Sequence, residues 1–78
     1  MQKLALNALP PGMCGRVETL AAQGLQRRRL MDMGMMPGAE VEALHTAPFG
    51  DPTAYKVQGV VIALRAGDAQ KITVVLRS

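Results

Sequence analysis

Seventy-eight residues suffice for one domain, spanning 1–78, and leave no room for a second core. No apolar run approaches the ~20 residues that cross a bilayer. A lone cysteine, Cys14, cannot close an internal disulfide. Membrane-spanning and disulfide-scaffold classes therefore drop out, and a cytoplasmic location is expected. The net charge is +3, from nine Lys and Arg against six Asp and Glu. Nucleic-acid modules of this size are usually more basic and interleave aromatics with their cations; here Phe49 and Tyr55 stand apart.

Residues 1–10 hold a broken apolar run with one lysine and do not read as a secretory leader. "LPPGMCG", Leu9 to Gly15, is a turn cluster: two prolines fix φ and a glycine then releases it. "GRVETL" follows, with Val17 flanked by Arg16 and Glu18, the alternation of a half-buried strand. Gln26 to Met33 then offers strong helix formers with no Gly or Pro. Leu30 and Met33 share a face, and the arginines fall mainly on the other. Gly34 stands where a left-handed residue ends a helix, and Pro37-Gly38 fits positions i+1 and i+2 of a type II turn.

"AEVEALH" puts Val41 and Ala43 on one face with His45 in phase, and Glu40 and Glu42 on the other. "APFGDPT" is a loop, with Pro48 and Pro52 bracketing Gly50-Asp51. "AYKVQG" places Tyr55 and Val57 together, and Gly59 marks a tight hairpin or sharp bend. "VVIALR" and "ITVVLR" are β-branched runs, separated by "AGDAQK", which is long enough for one helical turn. The expected fold is all-β: a closed five-stranded SH3-like barrel, with a short helix after the first strand and one helical turn before the last. Closure would remove exposed edges.

Taken in order, "LPPGMCGRV", "RRLMDMGMMPGAEVEAL", "APFGDPTAYKVQGVVIALR" and "DAQKITV" resemble the FeoA family of bacterial ferrous iron transport. They also resemble the FeoA-like domain of iron-dependent repressors. The resemblance covers roughly residues 4 to 76. It implies an SH3-like barrel and a non-enzymatic accessory that docks on the cytosolic GTPase domain of a FeoB-like permease and modulates it. Membrane association would come only through that partner. The alternative is a regulatory domain tied to an iron-dependent repressor or to nucleic acid; the chain's length and the lack of a preceding helix-turn-helix favour the first.

Each notable residue also has a bland reading. The methionines could ligate a soft metal. A plainer expectation is that Met33 and one of Met35 or Met36 fill the core, while the rest form an adaptable surface. Arg28 and Arg29 suit a solvated helix face, with Asp32 at i,i+4 and i,i+3 worth ~0.2–0.5 kcal/mol per pair; Arg29, matching the family's Arg-Leu pair, is expected to have a fixed role. His45 and Cys14, 31 positions apart, make no zinc spacing and are weak candidates for an adventitious divalent ion. No cofactor and no nucleic acid are expected, no catalytic constellation stands out, and self-association stays open. The expected partner surface is Arg28, Arg29, Met31, Met35, Met36 and Pro37, with the loop from Ala47 to Pro52 as a second, separate surface.

Overall fold

A curled antiparallel sheet carries the chain. The computed structural model describes residues 2–77. The strands are β1 (Lys3–Ala5), β2 (Cys14–Leu20), β3 (Glu40–Thr46), β4 (Thr53–Val57), β5 (Val60–Leu64) and β6 (Ile72–Arg77). A 3-10 turn spans Leu6–Ala8, helix α1 spans Gly24–Asp32 and the helical turn α2 spans Ala66–Ala69. The sheet order is β1-β6-β2-β3-β4-β5.

The fold is mainly β, with six strands rather than five. The additional strand, β1, pairs three residues with β6, from Lys3 opposite Val75 to Ala5 opposite Thr73. Three residues show no period to read, yet they steer the buried Leu6 into the core directly afterwards. Among the described residues no ladder joins β5 to β1, so hydrogen bonds do not close the barrel as expected. The 3-10 turn that follows β1 packs instead against α2, which follows β5. Helical turns thus bridge the two edges, with Ala69 fully buried between them.

Alternation decides the core. Val17 on β2, Val41 and Ala43 on β3, Tyr55 and Val57 on β4, and Ile72 and Val74 on β6 all point inward and are buried. Burying each large aliphatic side chain stabilises the fold by roughly 1.5–3 kcal/mol, which matters in so small a domain. Between β4 and β5 the chain turns through Gln58 and Gly59, both at positive φ, in a two-residue hairpin of type I′.

One alternation breaks. β3 bulges against β4 between Ala43 and His45, so Leu44 has no partner and the pattern slips by one. His45, expected in phase with Val41 and Ala43, is therefore exposed.

Candidate functional site

Two exposed features stand at opposite ends of β3, and each is positioned by its own local chemistry. At the N-terminal end is the exit from α1. Only Leu30 of that helix is buried, at 1% exposure. Arg27 donates from Nη1 to the Leu20 carbonyl at 2.9 Å. Gln26 gives its amide to the Asp68 carboxylate and receives the Lys71 ammonium at 3.0 Å, which ties α1 to α2 and to the residue that leads into β6. The fixed side-chain bond of this arginine run is thus made by Arg27. Arg28 and Arg29 are both exposed. The ion pairs among the described residues join Lys3 to Glu18, Arg65 to Asp51 and Arg77 to Glu40, so none uses Asp32.

The helix stops on a double backbone clasp. Gly34 N–H donates to the Met31 carbonyl and Met35 N–H to the Leu30 carbonyl, both at 2.9 Å. This is the Schellman arrangement, and Gly34 supplies its left-handed residue at φ +101°. In that arrangement the second residue past the cap residue, here Met33, folds back over the last turn. Met35 is that residue, and it is fully buried in the same core cluster as Leu30. Its expected place on the partner surface is therefore corrected: Met35 is core. Met33, expected in the core, is 37% exposed, and Met31 is half-buried against the core. Met36 is 40% exposed.

Pro37 and Gly38 then make the expected turn: Ala39 N–H donates to the Met36 carbonyl at 2.9 Å, with Gly38 at φ +94°. That turn forms one wall of an open groove of 640 Å³ across the outer face of β2 and β6, lined also by Arg16, Glu18, Val75 and Arg77. Of the residues expected on the partner surface, the structure exposes Arg28, Arg29, Met36 and Pro37. The groove was not anticipated. Its only signal in the sequence is the outward phase of Arg16 and Glu18 on β2 and of Val75 and Arg77 on β6, strands that are 50 or more positions apart.

At the other end of β3 is the loop Ala47–Pro52. Gly50 N–H donates to the Ala47 carbonyl at 2.8 Å, and Ala47 N–H donates to the Pro52 carbonyl at 2.9 Å. The Asp51 carboxylate accepts the Ala66 N–H at 2.8 Å and lies 3.6 Å from the Arg65 guanidinium. It thereby satisfies a free amide in the first turn of α2. The "GDP" run and the "LRA" run fourteen positions later thus form one joint.

Cys14 lies opposite Glu42, and His45 opposite Ala54, so the two do not face each other along β3. Among the described residues no three His, Cys, Asp or Glu side chains gather as a metal site.

A family model for the FeoA domain matches residues 4–76. The chain belongs to the FeoA family. It is 31% identical over 75 residues to a fusion of Fe(2+) transport protein A with the Fe(2+) transporter FeoB from Porphyromonas gingivalis; the match takes in 96% of this chain and 9% of that protein's length. The FeoA of Chlorobium tepidum superposes with a TM-score of 0.90 at 36% identity, over 96% of this chain and 71% of that one. The FeoA of Stenotrophomonas maltophilia, solved with zinc and described as an SH3 domain protein, superposes with a TM-score of 0.75 at 28% identity, over 99% of this chain and 91% of that one. The run "RRLMDMGMMPG", which lies within the matched residues, is the segment whose backbone makes the helix stop and the type II turn. No helix of the described residues is long and apolar enough to cross a membrane.

Proposed function

We propose that this FeoA-family chain is a non-enzymatic accessory of ferrous iron uptake. It docks on the cytosolic GTPase domain of a FeoB-type permease and biases the permease between its states. The observation that carries this reading is the Porphyromonas relative, in which a stretch like this chain and the transporter share one polypeptide. The Stenotrophomonas relative, put forward as an activating factor of ferrous iron transport, points the same way.

The docking surface is the helix end: exposed Met33, Met36 and Pro37, with the groove beside them. Methionines are unbranched and polarizable, so they repack against a partner at low cost. The stop beneath them is rigid, so the partner meets a fixed frame that carries adaptable side chains. Docking changes the permease only by the difference in affinity for its two states.

The test is binding to a full-length permease in nanodiscs, with GTP hydrolysis followed in parallel. Replacing Met33 and Met36 together by Ser should weaken binding about tenfold with an unchanged β signature by circular dichroism. Wild-type binding with no loss in the double variant would reject the helix end, and no wild-type binding would reject the partner.

A further inference from the structure

Phe49 is 99% exposed, whereas the other exposed large apolar side chains reach at most 66%, at Leu25. Its position is built rather than slack. Phe49 is the third residue of the Ala47–Gly50 turn, and the Ala47–Pro52 bond closes the loop beneath it. Pro48 and Pro52 restrict φ on either side. Two residues on, Asp51 pins the loop to Arg65 and Ala66. With the backbone beneath the ring closed by these bonds, the loop loses little further freedom on binding. Exposed aromatics that enter a partner's pocket are the usual anchors of interfaces.

The occupant follows from the surrounding charges. Residues 47–52 contain no Lys or Arg, and Asp51 adds a negative charge, so the loop lacks the several cations that draw a segment to anionic lipid. The cation paired with the loop among the described residues is Arg65. It touches Asp51 only at 3.6 Å and is largely exposed, so most of its donors remain free. That combination fits a pocket in a polypeptide, apolar within and acidic at its rim.

We infer that Phe49 is a second docking anchor, seated in an apolar pocket of the permease, with Arg65 meeting a carboxylate at the pocket's edge. The partner's identity rests on the function proposed above; the anchor itself rests on the loop. β3 has seven residues, so the loop and the Met36-Pro37 turn lie about 23 Å apart at ~3.3 Å per residue. A partner that holds both ends spans most of the domain, and each contact raises the effective concentration for the other.

The experiment compares wild type, Phe49→Ser, Phe49→Leu and Arg65→Ser for binding to permease nanodiscs and to empty nanodiscs of the same lipid. Sedimentation of each chain alone is measured alongside. The expected result is a loss of about tenfold for Phe49→Ser, a smaller loss for Phe49→Leu, and a loss for Arg65→Ser that shrinks at high salt, all with unchanged thermal midpoints. Equal binding by wild type and Phe49→Ser overturns the anchor and leaves the proposed function standing. Failure of wild type to bind the permease overturns both. Phe49-dependent binding to empty nanodiscs would assign the ring to lipid, and Phe49-dependent dimers would assign it to a second copy; either overturns the pocket.

Discussion

The two ends of β3 are built on different plans. At the helix end, the frame is held from within. Leu30 and Met35 are core residues, and the backbone clasp between them fixes the stop. The exposed side chains there, Met33 and Met36, are flexible. At the loop end, the frame is closed by its own backbone bonds and tied to α2 by one carboxylate, Asp51, and the exposed side chain is an aromatic ring. Folding and docking are therefore entangled at the helix end, where neighbouring residues serve one or the other. At the loop end they separate, because no residue of the Ala47–Gly50 turn belongs to the buried core.

Neighbouring methionines give the largest contrast. Met35→Ala should cost about 2–5 kcal/mol, the usual range for emptying a buried site. Met36→Ala, at an exposed position, should fall within ~0.5 kcal/mol. Urea melts with unchanged slope would show both. If the two variants lose equal stability, the division between core and surface at the helix end is wrong.

Gly34 comes next. Its φ is +101°, and a Cβ there would stand 3.2 Å from Val57 Cγ1. Gly34→Ala carries a left-handed penalty of about 1–2 kcal/mol plus whatever Val57 must yield. For a domain this size each kcal/mol moves the thermal midpoint by roughly 4–8 °C. The same variant should weaken docking through Met33 and Met36 and leave the contribution of Phe49 intact. Equal loss at both ends would mean that they are not independent.

A smaller effect is expected at Asp51. Asp51→Ala removes one hydrogen bond to a free helical amide and one exposed ion pair. That should cost about 0.5–1.5 kcal/mol, nearly all of it from the hydrogen bond. Its signature is the opposite of Gly34→Ala: hydrogen exchange at Ala66 and through residues 47–52 quickens, while the helix stop keeps its protection. Unchanged exchange in the loop would show that Asp51 does not hold it.

The helix end was legible in the sequence, and the loop end was only half so. Gly34, Pro37 and Gly38 act through φ, and the bonds that close the stop and the turn, Met35 to Leu30 and Ala39 to Met36, reach five positions or fewer, so both could be read directly; the bond from Gly38 N–H to the Val17 carbonyl could not. The inward phases of Val17, Val41, Tyr55 and Val57 were also legible, because strand alternation is local. The missed features depend on chain that is distant in sequence. The three residues of β1 are a strand only because β6 lies beside them. Leu44 is a bulge only against β4, and that bulge turns His45 outward. The choice between Met35 and Met36 for the core turns on which is second past the cap residue, a one-residue question that composition cannot answer. "GDP" reads as a turn, yet the work of Asp51 is done at Ala66.

Tyr55 provides the finest probe, because it is buried in β4 and feels the loop end. Its hydroxyl donates to the Leu6 carbonyl at 3.5 Å. Burial pushes its pKa above the ordinary value near 10; the side-chain bond with Thr53 lowers it, and the negative charge of Asp51 raises it. A phenol with a raised folded pKa keeps its proton longer folded than unfolded. Its stabilising contribution is whole below about pH 10 and is lost as pH climbs through the folded value. Stability should therefore fall above about pH 10, and Tyr55→Phe should flatten that fall relative to wild type. Asp51→Asn should flatten it slightly, since it removes only the third cause. A slope that Tyr55→Phe leaves unchanged would mean that the hydroxyl is open to water and that the barrel is looser beneath the loop than its packing implies.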